Sequence, residues 1–263
     1  MTRARMKLVY EVKEKIAYIT INRPEAMNAM DADVYEALSS AWIDVRDNPD
    51  VWLAIVTGAG ERAFTAGADL KRMSERAPRE KADFWLTQKD MLLNRGLEVW
   101  KPVIAAVNGY CLAGGMTLLF GTDIRIAAEH AVFEISEVKR GILPANGGTQ
   151  RALRQLPHAI AMELLLLGRR LTAQEALGYG LINKIVPLDE LMPTAERFAR
   201  QLCEHGPLAL RAIKELAVRS QSLSLEQGLR LEQAFLEFLR TTEDAKEGPR
   251  AFAEKRKPIY KGR

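Results

Sequence analysis

The chain has 263 residues, 48% of them hydrophobic and 27% charged, which is enough apolar material for one sizeable core or a core with a smaller appendage. That composition excludes disorder, collagen and small disulfide scaffolds. No window approaches the roughly 18 consecutive apolar residues of a membrane span, and MTRARMKLVYEVKEK at the amino terminus lacks an apolar signal core, so a soluble cytoplasmic protein is expected.

The net charge of +4 suits nucleic acid, an anionic surface or a phosphorylated small molecule equally well. Lys255, Arg256, Lys257, Lys261 and Arg263 crowd the carboxyl terminus. Cys111 and Cys203 are the only cysteines and form no Cys-x-x-Cys pair, so neither a zinc site nor a disulfide framework is expected.

In chain order, Leu8 to Lys13 and Ile16 to Ile21 flank Glu14-Lys15 and predict an opening β-hairpin. A helix follows, capped by Asp33 with Glu36, its apolar stripe formed by Val34, Leu38, Trp42 and Val45 before Asn48-Pro49-Asp50. Short buried strands are expected at Trp52 to Thr57, Val103 to Val107 and Asp123 to Ala127. Phe84 to Val99 has the stripe of a core helix. Thr172 and Glu175 form a capping box for a helix running to Tyr179, and Leu181 to Val186 returns as a strand. This alternation predicts an α/β fold with parallel pairing. From Asp189 onward only helical periodicity remains, in Leu191 to Cys203, Pro207 to Val218 and Leu225 to Leu239. The expected division is an α/β core over 1–188 and a helical region over 189–263, too apolar to stay exposed.

Three glycine-rich segments, FTAGADL (Phe64 to Leu70), NGYCLAGGMTLL (Asn108 to Leu119) and GILPANGGTQR (Gly141 to Arg151), follow predicted strands. Open α/β structures place ligands there, and small residues let a substrate approach the backbone. None completes a dinucleotide fingerprint or a Walker loop.

Six motifs in order, INRPEAMNAM (Ile21 to Met30), FTAGADLKRM (Phe64 to Met73), KPVIAAVNGYCLAGGMTLLFGTDIRIA (Lys101 to Ala127), SEVKRGILPANGGTQR (Ser136 to Arg151), GRRLTAQEALGYGLINKIVP (Gly168 to Pro187) and TEDAKEGPRAFAEKRKP (Thr242 to Pro258), resemble the enoyl-CoA hydratase/isomerase (crotonase) family over nearly the whole chain. The resemblance implies a spiral of ββα turns with a carboxy-terminal helical trimerisation region, a homotrimer or a hexamer built as a dimer of trimers, and an acyl-CoA thioester as substrate. On this reading no metal or redox cofactor beyond the CoA of the substrate is needed, and neither a membrane nor nucleic acid is expected as a partner. Some relatives bind RNA through a lysine-rich early helix, but Asp33 to Arg46 carries Asp33, Glu36 and Asp44 against Arg46 alone. A non-enzymatic oligomeric binding protein is the alternative of a different class.

By the same resemblance, the backbone amides of Ala68 and Gly114 hold a thioester enolate. CoA lies along Ala66 to Lys71, including Ala68, Asp69 and Leu70, with Ala26 flanking the pantetheine and Lys255 near the phosphates. Asp69 fits a helix cap equally well. Hydratases of the family carry two glutamates, and here Thr117 occupies the first place while Glu137 occupies the second. A lone carboxylate is better suited to moving a proton between carbons of an enolisable thioester, so double-bond isomerisation leads, with hydration, decarboxylation or thioester hydrolysis as alternatives. His130, His158 and His205 fall outside the catalytic positions.

Overall fold

The computed structural model describes residues 6–69, 92–94 and 96–263. The opening hairpin is present, β1 (Leu8–Lys13) pairing antiparallel with β2 (Ile16–Ile21) across Glu14 and Lys15, both at positive φ. Helix α1 (Ala32–Asp47) buries Val34, Leu38, Trp42 and Val45 as its spacing requires. Its cap corrects the expected one. Asp31 precedes the first turn with an extended backbone and its carboxylate accepts from the Val34 amide, whereas Asp33 lies inside the helix and bonds Lys7.

From here the chain lays down strands in pairs. β3 (Leu53–Gly58) is followed by β4 (Ala63–Thr65), β5 (Val103–Val107) by β6 (Tyr110–Leu112), and after the short helix α2 (Gly114–Leu119), β7 (Ile124–Ala128) is followed by β8 (Val132–Glu134). Helices α3 (Gly148–Gln155) and α4 (His158–Met162) lead to β9 (Arg170–Thr172), α5 (Ala173–Gly178) and β10 (Lys184–Val186). The capping box of α5 forms as expected, Thr172 and Glu175 each satisfying the other's amide. The strand expected over Leu181 to Val186 begins only at Lys184, because the Leu181 carbonyl turns aside to accept from Arg125.

One member of each pair joins a six-stranded sheet of order β1-β2-β3-β5-β7-β10, and the other joins a four-stranded sheet of order β4-β6-β8-β9. Apart from the first hairpin and the β8–β9 edge, all pairings are parallel. Every residue of β3 and β5 is buried. Side chains alternate between sheet faces, so Ala54, Val56, Val103 and Ala105 pack toward α1 while Leu53, Ile55 and Ile104 meet Leu191, Ala195 and Ala199 of α6 (Leu191–Cys203). The first helix of the expected carboxy-terminal region therefore covers the main sheet. Helices α7 (Pro207–Arg219), α8 (Leu225–Arg240) and α9 (Glu243–Ala253) complete the chain, and α8 buries no residue at all. Among the described residues no helix is long and apolar enough to cross a membrane.

Candidate active site

Parallel strands end on the same side, so β4, β6 and β8 deliver three consecutive segments to one edge of the smaller sheet. After β4 the backbone turns through Gly67 (φ +87°) and Ala68 forms a one-residue parallel bridge with Met30. The Met30 amide bonds the Gly67 carbonyl at 2.7 Å and the Asp69 amide bonds the Met30 carbonyl at 3.0 Å. Ala68 lies between these bonds and its own amide donates to no acceptor among the described residues. After β6, Ala113 turns the chain at φ +48°, ψ −114°, and Gly114 opens α2, where an amide has no intrahelical acceptor. A β-carbon on Gly67 would stand 2.7 Å from the Gly114 nitrogen, and one on Gly114 would stand 3.5 Å from the Ala68 nitrogen. Two amides without an acceptor among the described residues thus meet across a gap that only small residues leave open.

After β8 comes Glu137, first residue of a short helical turn to Arg140. One of its carboxylate oxygens is buried with no hydrogen-bond partner, and burial pushes the carboxyl above its usual range despite the opposing pull of its own amide and Arg140. Glu134 differs. It is 4% exposed, and burial alone would raise its carboxyl, but Lys139 at 2.8 Å and Arg170 at 2.6 Å hold it below the usual range. Environment therefore splits two neighbouring glutamates, one tied in ion pairs and one left available for proton transfer.

Beside Gly114 lies a small cleft, with a cavity volume of about 10 Å³. Met30, Leu38, Trp42 and Leu118 give it apolar walls, and Thr117, Asn94 and Asn146 supply polar groups. Thr117 Oγ1 donates to the Gly114 carbonyl at 2.9 Å and accepts from Asn94 Nδ2 at 3.1 Å. Arg151 ties the two loops of the wall together, its guanidinium donating to the carbonyls of Asn94 and Asn146. Asn94 was missed by sequence reasoning, because it stands in a stretch without motif or periodicity and only tertiary contact brings it to Thr117.

The remaining expected residues are distributed unevenly. Ala66 bonds Met27 through its amide, which brings the segment of Ala26 against that of Ala66 and Ala68. Asp69 faces Arg23 at 3.1 Å, and the same guanidinium lies 3.5 Å from Asp31. Leu70, Lys71 and most of the Phe84 to Val99 stretch lie outside the described residues. Lys255 is exposed and makes no ion pair among the described residues. Its neighbours in the basic tail are paired: Arg256 with Glu247 and Glu254, Lys257 with Glu204, and Lys261 and Arg263 with Glu243. Among the described residues no three His, Cys, Asp or Glu side chains gather as a metal ligand set.

Residues 11–263 match the family model of enoyl-CoA hydratase/isomerase. The chain is 38% identical to the (E)-benzylidenesuccinyl-CoA hydratase of Thauera aromatica over 98% of its own length and 100% of that protein. It is 43% identical to the carnitinyl-CoA dehydratase of Salmonella enteritidis, covering 94% of this chain and 95% of the relative. Among solved structures, an enoyl-CoA hydratase from Bacillus anthracis superposes with a TM-score of 0.91 at 35% identity, covering 98% of this chain and 100% of the other. One from Mycobacterium marinum gives 0.89 at 36%, covering 98% and 99%. The paired-strand spiral is thus the crotonase fold, and the chain belongs to the enoyl-CoA hydratase/isomerase family.

Proposed function

We propose that the protein adds water to, or eliminates it from, an acyl-CoA thioester through an enolate held by the amides of Ala68 and Gly114, with Glu137 carrying the proton. The observation that carries this reading is the convergence of two amides with no acceptor among the described residues at the strand ends that also bear a carboxyl with one buried, unpartnered oxygen. Amides fixed before reaction stabilise an enolate oxygen more than a neutral carbonyl, by on the order of 3 kcal/mol per donor in other enzymes. In the hydration direction Glu137 takes a proton from water as its oxygen bonds C3, the electron pair moves onto the thioester oxygen, and Glu137 returns the proton to C2. One carboxyl performs both transfers in turn. The names of the full-length relatives, a hydratase and a dehydratase, support water as the second reactant.

Isomerisation is the second reading, favoured by the neutral Thr117 where two-glutamate hydratases carry an acid. There Glu137 would remove a proton from C2 of a 3-enoyl thioester and return it at C4. For the carrier we assign Ala26, Ala66, Asp69, Leu70 and Lys71 to the CoA path and Lys255 to its phosphates, and we expect a homotrimer or a dimer of trimers. The test is a panel of CoA thioesters incubated in deuterated water and followed by mass spectrometry. Uptake of one D₂O by a 2-enoyl-CoA supports hydration, a shifted double bond with deuterium exchange supports isomerisation, and neither change on any thioester sinks both.

A further inference from the structure

We propose that Asn94, locked onto Thr117, recognises a hydroxyl on the third carbon of the acyl chain, or the water that becomes that hydroxyl. This rests on the acyl-CoA reading above and assigns a specificity-determining role to a residue outside all six motifs. The hydrogen bonds decide what Asn94 has to offer. A carbonyl can only accept, so the single hydroxyl proton of Thr117 is committed to the Gly114 carbonyl. Thr117 Oγ1 must then accept from Asn94, which fixes the amide with Nδ2 toward Thr117 and leaves Oδ1 for something else.

Among the described residues Asn94 Oδ1 accepts from no donor, although Asn94 is only 8% exposed and lines the cleft. A hydroxyl or a water can donate to this oxygen, whereas a methylene cannot. The group is also held still. Arg151 donates to the Asn94 carbonyl at 3.0 Å, and its guanidinium fits because Gly147 has no side chain to meet it.

Position agrees with chemistry. Thr117 stands one helical turn beyond Gly114, about 5 Å along the axis. With the thioester oxygen on the Gly114 amide, a substituent on C3 falls beside Thr117 and Asn94. The Thr117–Asn94 pair is neutral, so it orients an oxygen while leaving proton transfer to Glu137.

The experiment measures binding by calorimetry in Glu137→Gln protein, where turnover is blocked. Each enantiomer of 3-hydroxybutyryl-CoA is compared with butyryl-CoA. One enantiomer is expected to bind about fivefold to tenfold tighter than butyryl-CoA, the worth of one good buried hydrogen bond, and Asn94→Leu should bring that ratio to within about twofold. No advantage with Asn94 present, or the same advantage after Asn94→Leu, overturns the proposal while leaving the acyl-CoA reading intact. Binding of none of these thioesters overturns both. If Asn94→Leu fails to fold, Thr117→Val removes the anchor instead, and an undiminished ratio there counts against the proposal.

Discussion

Glu137 carries two opposing demands at one carboxyl. Its buried, unpartnered oxygen makes it a stronger base than a solvated glutamate, and the same burial makes its charge unfavourable to the fold. Glu137→Gln should therefore lower exchange of substrate C2 protons with solvent by roughly 10²- to 10⁴-fold, and unchanged exchange would remove Glu137 from the mechanism. In the wild type, kcat/KM should fall on the acid side with a midpoint above the ordinary glutamate value of 4.5, since only the ionised form accepts a proton. The stability effect has the opposite sense. Because the folded state holds this proton more tightly than the unfolded state, stability declines as pH rises through the raised folded value, and the cost is fully present above it. Glu137→Gln should then melt higher than wild type at neutral pH, with the gap closing as the medium becomes acidic. Gly114 gives a second residue-scale prediction. A methyl there would stand 3.2 Å from Met30 Cε, 3.3 Å from Gly67 Cα and 3.5 Å from the Ala68 nitrogen, inside the space an enolate oxygen needs. Gly114→Ala should cost about 10²- to 10³-fold in kcat, the range seen when one oxyanion donor is lost, and near wild-type turnover would refute the assignment of these two amides.

At the level of elements, the connection from β6 to α2 has the sharpest local geometry. Ala113 at φ +48°, ψ −114° holds a backbone conformation that glycine adopts without strain and alanine does not. Its amide is anchored to the Glu134 carbonyl of the neighbouring strand, so the surrounding sheet enforces the conformation and thereby aims the Gly114 amide. Ala113→Gly should raise stability by about 1 kcal/mol, the relieved strain exceeding the extra freedom of the unfolded chain, as read from the urea midpoint. A loss of stability would mean the turn is unstrained. Long elements were legible from their pattern: the α1 stripe, the α5 capping box and the ends of α6 all stand where spacing put them. The α1 cap was not, because Asp31 and Asp33 are chemically alike and only the onset of helical backbone chooses between them.

For the whole molecule, the carboxy-terminal helices leave several large apolar side chains exposed. Leu225 is 80% exposed and Phe252 87%, and α8 buries nothing although Leu225, Leu229, Leu236 and Phe238 all lie on it. Sedimentation should give a trimer or hexamer, and replacing Leu229 and Leu236 by glutamate should shift it toward smaller species. A stable monomer of the intact chain at micromolar concentration would contradict this.

The sequence by itself determined where the central strands of the larger sheet run. Those at Leu53–Gly58 and Val103–Val107 are announced by apolar runs, because parallel strands covered on both faces must be apolar throughout, whereas the order of strands in the sheet is not written in the pattern. The six ordered motifs likewise determined the family and marked Ala68, Gly114 and Glu137. Only the tertiary structure decided the smaller sheet, whose strands are three residues long and too short to carry any periodicity, so that pairing with neighbours alone defines them. The site hangs from that sheet, and with it the facts no spacing encodes: that Glu134 is tied to two cations while Glu137 is not, and that Asn94 meets Thr117 across 23 residues. Hydrophobic pattern follows from burial along one chain, whereas the partner of a buried polar atom depends on which segments the fold brings together.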